Sequence, residues 1–584
     1  MKKTKIVCTI GPSSDSYEVL KALVNEGMNV TRLNFSHGTH PEHKKRIDTI
    51  KKLRDDLDEP IAIMLDTKGP EIRIKTFKDG MIRIEQGQDF TLTSEDVEGD
   101  ETRVSVTYKE IAKDLKADDR VLIDDGLVEF TVTSVDEKNV YMKAVNSGEL
   151  SNRKGVNLPS VKVNLPTLTE KDIEDLIFGI ENDVDFIAAS FIRSAKDVLE
   201  IRKVLESNGG EDIKIISKIE NLEGVQNIDE IIDASDGIMV ARGDMGVELD
   251  EEDIPLVQKD IIRKCNLKGK FVITATQMLD SMIRNPRPTR AETTDVANAI
   301  IDGTDCVMLS GETAGGKYPV EAVKTMRNIC VTTELSDDFY QNIYDVKIKS
   351  ANTTTNSIAR STKNIAEDLN AQAIISCTAS GNTSRIISKF KPKTNIIAAT
   401  ISDRVARQLS IVWGVYPIVI QEAKETDELI ERAIVGALSE EYVKEGDLTV
   451  VTAGIPLGVS GTSNLIKVHV IGDILTSGTG IGSKSVSGKV VIGSTKKELE
   501  GKFEEGDIIV AKFTDADITE YLEKASAVVT ETGGLTSHTA VAAVHFGIPA
   551  VVGAVNVINL VEEGETITVD PIGGVIYKGE TKVI

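Results

Sequence analysis

The chain of 584 residues is longer than one hydrophobic core usually grows, so we expect several domains. Its formal net charge of −25 disfavours nucleic acid and anionic membranes as partners, and an anionic ligand would need a locally basic pocket. Its five cysteines lack CxxC spacing and no apolar run could span a bilayer, so we expect a cytoplasmic protein without a disulfide framework, a zinc site or a membrane anchor.

The predicted elements begin with a repeated rhythm, in which a short apolar strand is followed by an amphipathic helix. Strands are predicted to begin near Lys5, Asn29, Ile61, Asp185, Lys214, Gly237, Phe271 and Cys306. Near-continuous apolar runs are typical of parallel strands that are buried on both faces. Eight strand–helix units therefore predict an α/β fold with a closed (β/α)₈ TIM barrel, formed by residues 1–70 and 167–345.

Further domains are predicted inside and after this barrel. The connection between its third and fourth strands is much longer than a βα crossover of about 30 residues requires. Residues 71–166 of that connection alternate in strand fashion, with Gly and Asp at the turns, which predicts an inserted β-barrel cap domain. Residues 346–474 resume the alternation of strands and helices and predict a C-terminal α/β domain. Residues 475–584 predict a β-rich extension with a helical stretch near Thr539–His545.

Polar residues that end the apolar runs are the candidate site residues, because the chemistry of such barrels lies at the carboxyl ends of the strands. After the second, third, fifth, sixth and seventh strands these residues are Arg32, Asn34, Ser36, His37, Asp66, Thr67, Lys218, Glu220, Asp244 and Thr276. Lys218 and Glu220 lie two apart on one strand, so their side chains share a face. Any one of these residues could be an ordinary strand-end group or ion-pair partner. Their convergence favours a common site.

The chemistry of these side chains suits a phosphoryl group. Glu220 and Asp244 supply hard oxygen ligands at adjacent strand ends, which suits Mg²⁺ completed by water and substrate oxygens. Arg32, Arg73 and Lys218 supply the positive charge that a transferring phosphoryl group requires.

Longer motifs make a family resemblance specific. In the order of the chain they are RLNFSHG from Arg32, LDTKGPEIR from Leu65, KGVNLP from Lys154, SKIEN from Ser217, MVARGDMGVE from Met239, ITATQMLDSM from Ile273, NPRPTRAE from Asn285 and VMLSGETA from Val307. These resemble pyruvate kinase motifs, in that family's order, and the resemblance extends to about Asp473. It implies phosphoryl transfer from phosphoenolpyruvate to ADP to give pyruvate and ATP, the last step of glycolysis.

The resemblance also implies a role for each matching residue. Arg32 and Lys218 contact the phosphate of phosphoenolpyruvate, and Lys218 stabilises the charge of the phosphoryl group in flight. The residues that hold Mg²⁺ (or Mn²⁺) are Glu220 and Asp244, and those that seat the substrate carboxylate are Gly243, Asp244 and Thr276, with Thr276 and its waters relaying a proton to the enolate. The residues that resemble the K⁺ site are Asn34, Ser36, Asp66 and Thr67. Those that resemble the nucleotide contacts are Asn34, His37, Arg73 and Lys154.

Two further features depend on the same resemblance. Family members that dispense with potassium carry Lys at the place of Glu71, so Glu71 predicts K⁺ dependence; alternatively it only forms an ion pair at the cap hinge. A phosphate cradle for a sugar-phosphate or nucleotide effector is predicted at the loop formed by Thr378, Ser380, Gly381, Asn382 and Thr383. The alternative is a helix cap without a ligand. The family also implies a homotetramer under allosteric regulation.

The last segment carries TETGGLTSHTAVAAVHFGIPAVVG from Thr530, which resembles the phosphohistidine domain of phosphoenolpyruvate-utilising enzymes. His538 falls at the phosphorylated position, but Ala543 and Val544 stand where an Arg is expected. Bacillus-like pyruvate kinases carry such an extension without needing it for the reaction, so a structural role is favoured over phosphoryl relay. Two other functions stay open: a phosphotransferase that works through His538, and a silent metabolite sensor that uses the 378–383 loop.

Overall fold

A computed structural model describes residues 1–336, 339–340, 353–455, 463–472 and 474–581. The described residues fall into two compact units, one within Met1–Ala351 and Ser402–Pro417 and the other within Asn352–Ile401 and Ile418–Ile584. The predicted boundary between residues 345 and 346 lies outside the described residues. No helix in the described ranges is both long enough and apolar enough to cross a membrane.

The predicted (β/α)₈ barrel is confirmed. Parallel strands close it in chain order within the first unit, namely Lys5–Thr9, Val30–Asn34, Ala62–Asp66, Phe186–Ala189, Lys214–Ile219, Gly237–Ala241, Phe271–Ala275 and Cys306–Leu309. Every residue of the first, third, sixth and seventh strands is buried. This burial explains why these strands read as continuous apolar runs without alternation.

Helices cover the outside of the barrel. Those of eight or more residues are Tyr17–Asn25, His40–Leu57, Glu170–Glu181, Ala195–Ser207, Ile254–Lys268, Arg290–Ile301 and Pro319–Glu334. The same unit contains the shorter helices Leu222–Gln226, Ile228–Ala234, Arg242–Glu248, Asp280–Ile283 and Gly311–Ala314, and Arg242–Glu248 lines the cleft at the barrel mouth. Local sequence fixes their ends: a capping box of Thr169 and Asp172 begins Glu170–Glu181, and Gly269 ends Ile254–Lys268 with a left-handed φ of 71°. The helix Asp403–Leu409 also belongs to this unit.

The cap is built from strands around a core of its own. One sheet has the order Val156–Asn157, Arg120–Ile123, Val128–Val135, Asn139–Ala144, Asp89–Thr93 and Arg103–Ser105, and Gly148–Ser151 pairs with Met81–Ile84. A short helix spans Ile111–Asp114. The alternation of buried and exposed residues in Met81–Ile84 and Asn139–Ala144 is the period of two from which these strands were predicted.

The second unit contains two sheets. Within this unit the first has the order Asn395–Thr400, Ala373–Cys377, Leu448–Gly454 and Ser463–Val470, with helices Thr354–Asp368, Asn382–Ser388 and Thr426–Ser439, and the strand Val415–Val419 spans the division between the units at Pro417. The second has the order Ile474–Ser477, Val575–Lys578, Thr566–Asp570, Val486–Ile492, Ile508–Ala511, Ala527–Thr530, Ala550–Val552 and Thr479–Ile481, with helices Lys496–Leu499, Ala516–Ile518, Thr519–Leu522, His538–Phe546 and Val557–Leu560. The α/β and β-rich character predicted for these segments is confirmed.

Candidate active site

The mouth of the barrel brings together the charged residues from the ends of the second, third and fifth strands. Arg32 Nε donates to Asp66 Oδ2 at 2.5 Å, and Lys218 Nζ lies 3.1 Å from Asp66 Oδ1. The same ammonium lies 2.8 Å from Glu220 Oε1. All four side chains are nearly fully buried. Two cations and two carboxylates therefore form one continuous charged cluster, although their positions in the sequence lie far apart.

The fourth strand contributes two contacts that were not predicted. Lys218 Nζ donates to Ser190 Oγ at 2.7 Å, and the backbone N–H of Phe191 donates to Glu220 Oε2 at 2.7 Å. Phe191 has a φ of 57°, an uncommon backbone conformation for a residue other than glycine. This turn aims the N–H of Phe191 at the carboxylate, so Glu220 is held from two sides. Ser190 ends an apolar run, as the predicted site residues do.

Electrostatics stabilises the charged forms of Asp66 and Lys218. Burial by itself would lower the pKa of Lys218, but the carboxylates of Asp66 and Glu220 outweigh burial and raise it. Burial would likewise raise the pKa of Asp66, but Arg32 and Lys218 lower it below its usual range. For Glu220 burial prevails and raises the pKa, and the nearby charge of Asp244 adds to the rise. Glu220 therefore carries the least compensated negative charge of the cluster.

The ends of the sixth and seventh strands supply Gly243, Asp244 and Thr276. The N–H of Gly243 donates to Thr276 Oγ1 at 2.7 Å, and that hydroxyl donates to the carbonyl of Ala275 at 2.6 Å. Arg242, which was not predicted, donates to the carbonyl of Thr276 at 2.7 Å. Thr276 has a left-handed φ of 67°. The hydroxyl of Thr276 is thus fixed beside the backbone of Gly243, and Asp244 follows with its side chain exposed.

Two carboxylates of this mouth fit a hard divalent cation. Glu220 and Asp244 are close enough for the charge of one to raise the pKa of the other, and bound Mg²⁺ would relieve that repulsion. In the described ranges no three His, Cys, Asp or Glu side chains converge as a metal-binding group. A cation held by two carboxylates, with water and substrate oxygens for the rest, suits Mg²⁺ in enzymes that act on phosphates.

The predicted K⁺ residues lie at the ends of the second and third strands. The strand register pairs Asn34 with Asp66. Asn34 Oδ1 accepts from the N–H of Ser36 at 3.0 Å, and Thr67 Oγ1 accepts from the N–H of Ser190 at 3.2 Å. The donor set of carboxamide, hydroxyl and carboxylate oxygens is chemically suitable for a hard monovalent cation.

The cap and the barrel together line a cleft of about 530 Å³. Asp244 lines it from the barrel, and Arg73 and Lys154 line it from the cap side. Lys154 Nζ lies 2.9 Å from Asp124 Oδ1, and Arg73 Nε lies 2.6 Å from Glu71 Oε2. The ion pair expected as the alternative for Glu71 is thus present. The predicted nucleotide residues Arg73 and Lys154 therefore share one cleft with the proposed metal ligand Asp244.

His37 lies exposed just after the second strand, and its carbonyl accepts from His43 Nε2 at 2.9 Å. The ring of His43 stacks on Phe35 with centroids 3.9 Å apart, and its buried Nδ1 has no hydrogen-bond partner. Burial lowers the pKa of His43 to about 4. A proton on Nδ1 would be buried without an acceptor, so this imidazole is neutral at physiological pH.

The predicted effector residues Thr378, Ser380, Gly381, Asn382 and Thr383 follow the strand Ala373–Cys377 and lead into the helix Asn382–Ser388. Gly381 takes a left-handed φ of 78° at this turn. The hydroxyls of Thr383 and Ser463 are 2.5 Å apart. The loop therefore has the strand–turn–helix geometry from which it was predicted.

His538 is the first residue of the helix His538–Phe546, and its side chain is exposed. Its Nδ1 lies 2.9 Å from Thr514 Oγ1, which lies 2.8 Å from Thr539 Oγ1. The hydroxyl of Thr514 thus fixes one nitrogen of the ring.

The chain is similar to known proteins along its whole length. Residues 1–323 match the family model of the pyruvate kinase barrel domain, residues 356–469 that of the pyruvate kinase alpha/beta domain, and residues 503–574 that of the mobile domain of PEP-utilising enzymes. The chain is 51% identical to a pyruvate kinase of Staphylococcus saprophyticus and 50% identical to one of Staphylococcus haemolyticus, with 100% of each chain covered. A crystal structure of a pyruvate kinase from Cryptosporidium parvum aligns with a TM-score of 0.77 at 41% identity, over 80% of this chain and 96% of that one.

Proposed function

The chain belongs to the pyruvate kinase family and transfers a phosphoryl group from phosphoenolpyruvate to ADP, and we propose that this transfer takes place at the cluster around Lys218. One observation carries the proposal: the ammonium of Lys218 lies within 3.1 Å of both Asp66 and Glu220, and Asp66 also holds Arg32. Two fixed cations beside a carboxylate able to bind metal are what a phosphoryl group in transfer requires.

Each charged group then has a distinct role. Arg32 and Lys218 bind the phosphate of phosphoenolpyruvate, and Lys218 stabilises its charge during transfer. Glu220 and Asp244 hold Mg²⁺ or Mn²⁺, which when bound neutralises phosphate charge. The ion pairs with Asp66 preset the positions of both cations, so little reorganisation is needed when substrate arrives.

Thr276 serves the carboxylate and enolate side of the reaction. The backbone at Gly243 and Asp244 seats the substrate carboxylate, and the Thr276 hydroxyl beside it relays a proton to the enolate with the help of water. The contacts from Gly243 and Arg242 support this role, because they fix both ends of Thr276.

The nucleotide occupies the cleft beneath the cap. His37, Arg73 and Lys154, with Asn34, contact ADP on this proposal, and the shared cleft of Arg73 and Lys154 supports it. Closure of the cap excludes water that would otherwise hydrolyse the phosphoryl donor.

Pyruvate kinases generally use K⁺ besides Mg²⁺, and we assign K⁺ to Asn34, Ser36, Asp66 and Thr67. The carboxylate of Glu71 makes the reaction dependent on K⁺. An assay in sodium or Tris salts tests this assignment, since undiminished turnover without potassium contradicts it.

Regulation is proposed at the loop 378–383, which would take a sugar phosphate or a nucleotide through its amides and hydroxyls. Titration of fructose bisphosphate, ribose 5-phosphate and AMP against substrate saturation curves tests this loop. If none of the three compounds shifts the curve, the proposed effector site is refuted. We further propose a homotetramer that acts in the cytoplasm.

The extension has a structural or assembly role on this proposal, and His538 stays unmodified during turnover. Phosphopeptide analysis after incubation with phosphoenolpyruvate tests this, and a phosphorylated His538 contradicts it.

One assay separates the three candidate functions. Pyruvate formation from phosphoenolpyruvate and ADP is followed for the wild type, Glu220→Gln and His538→Ala. Transfer in the barrel predicts that turnover is lost in Glu220→Gln and kept in His538→Ala, and a histidine relay predicts the reverse. A silent sensor predicts no turnover in any of the three.

A further inference from the structure

The carboxylate of Asp185 lies at the amino end of the fourth barrel strand, opposite the active-site mouth. Its side chain is completely buried. Asp185 Oδ2 accepts from the N–H of Ile63 at 2.8 Å, and Asp185 Oδ1 accepts from Arg407 Nε at 2.7 Å. Its own N–H donates to the carbonyl of Ile63, and its carbonyl accepts from the N–H of Lys214. Asp185 therefore ties the third, fourth and fifth strands together.

Two arginines face the carboxylate of Asp185. Arg54 Nη2 lies 3.6 Å from Asp185 Oδ2, and the closer partner comes from a distant part of the sequence. Arg407 belongs to the helix Asp403–Leu409, and its guanidinium is buried. Besides Asp185 it bonds Asp183 Oδ2 at 2.9 Å, and the neighbouring Gln408 donates to the carbonyl of Asp212 at 2.8 Å. The helix thus holds the loops that lead into the fourth and fifth strands.

The same three strands carry the charged cluster at their other ends. Asp66 ends the third strand, and Ser190 and Phe191 follow the fourth. Lys218 lies near the end of the fifth strand and Glu220 directly follows it. The strand between Asp185 and Ser190 is only Phe186–Ala189, and its neighbours hold it in register on both sides. Any shift of this short strand at the floor of the barrel therefore moves the two groups that fix Lys218 and Glu220.

We propose that Arg407 and Asp185 are positioning residues for the metal and phosphate cluster, which they control through the register of the fourth strand. The inference rests on the proposed assignment of Glu220 as a metal ligand. Asp244 and Thr276 come from the sixth and seventh strands, and Arg73 and Lys154 from the cap side, so these residues do not depend on the Asp185 contacts. The effect of breaking the Arg407–Asp185 pair should fall on metal binding and not on ADP.

The test compares Arg407→Gln with Arg404→Gln. Arg404 lies on the same helix and pairs with Asp183 but not with Asp185, so it is the matched control. Binding of Mn²⁺ to the full chain, without nucleotide, is measured by electron paramagnetic resonance. We expect Arg407→Gln to weaken Mn²⁺ binding by about 10-fold, the lower end of the cost of disturbing an outer-shell contact, here the bond from the Phe191 N–H to Glu220, and to leave the KM for ADP unchanged. Arg404→Gln should bind Mn²⁺ as the wild type does.

Two further variants make the outcome unambiguous. If Glu220→Gln binds Mn²⁺ like the wild type, the assignment of the metal site is wrong. If Glu220→Gln loses Mn²⁺ binding but Arg407→Gln binds Mn²⁺ like the wild type, the positioning role is refuted and only the metal site stands. The same conclusion follows if Arg407→Gln and Arg404→Gln lower the affinity for Mn²⁺ equally. Should Arg407→Gln fail to fold, Arg407→Lys carries the same test, because lysine keeps the charge but cannot bond Asp183 and Asp185 together.

Discussion

Replacing Lys218 by methionine tests the cluster most directly, because it removes the ammonium and keeps most of the side-chain volume. In the wild type this ammonium contacts Glu220 at 2.8 Å, Asp66 at 3.1 Å and Ser190 at 2.7 Å. Without it, two buried carboxylates lose a shared cation, and the phosphoryl group loses a cationic donor.

The expected loss of turnover follows from the donor that is removed. Deleting one neutral oxyanion donor costs about 100- to 1000-fold in kcat. Hydrogen bonds from charged donors are roughly twice as strong. We therefore expect Lys218→Met to lower kcat by at least about 1000-fold, or about 4 kcal/mol, while ADP and metal still bind. A coupled assay for pyruvate measures kcat, and a variant that keeps more than about a tenth of the wild-type turnover refutes the assignment.

Stability gives a second readout of the same change. Removing one partner of a buried ion pair costs about 3–5 kcal/mol, but Glu220 can take up a proton, since burial already raises its pKa. A carboxyl whose folded pKa is raised stabilises the fold at low pH and loses that contribution as pH rises through the folded pKa. The thermal midpoint of Lys218→Met should therefore lie well below that of the wild type at about pH 8 and approach it at about pH 5.5.

Lys268→Met is the matched control for these measurements. Lys268 is half exposed and pairs with Asp233 on the surface, where an ion pair contributes little. Both kcat and the thermal midpoint should stay at the wild-type values. A midpoint for Lys218→Met that falls equally at both pH values would show that Glu220 does not take up the proton.

The remaining predictions concern His43, the cap and potassium. Lowering the pH from about 7 to about 5 should reduce the free energy of unfolding of the wild type by about 2 kcal/mol through His43. The reason is that His43 takes up a proton in the unfolded state but not in the folded state, where its pKa is about 4. Denaturant unfolding of His43→Gln should not show this loss. Lys154→Met should raise the KM for ADP about 10-fold and leave that for phosphoenolpyruvate within about twofold, in steady-state assays, since one lost charged contact costs roughly 1.5 kcal/mol. Glu71→Lys should turn over without potassium, and an unchanged requirement for K⁺ contradicts the role of Glu71.

Much of this site could be predicted from the sequence, because a barrel places every strand end at one mouth. That rule gave Arg32, Asp66, Lys218 and Glu220, which the structure joins by ion pairs. The same rule, extended to the first and fourth strands, finds two more residues. Thr9 accepts from Arg32 Nη1 at 2.9 Å, and Ser190 accepts from Lys218.

Other contacts of the site leave no trace in the sequence. Phe191 acts through its backbone N–H, which a left-handed φ of 57° turns toward Glu220. No side-chain pattern encodes this, since phenylalanine is not a residue that favours that conformation. Arg407 likewise reaches Asp185 across 222 residues of sequence, and only the packing of its helix against the barrel reveals the pair.

Asp172 makes one contact that the local sequence predicts and one that only the folded structure reveals. It caps the helix Glu170–Glu181, because Asp172 Oδ2 accepts from the N–H of Thr169 at 2.9 Å. Its other oxygen, Oδ1, accepts from the N–H of Gly69 at 3.0 Å, in the loop that leaves the third barrel strand for the cap. The first bond spans three residues and follows from local sequence, whereas the second spans 103 and depends on the closed barrel. A carboxylate has enough lone pairs to accept both hydrogen bonds. A residue whose capping role is evident from the local sequence can therefore also hold the loop that leads to the cap.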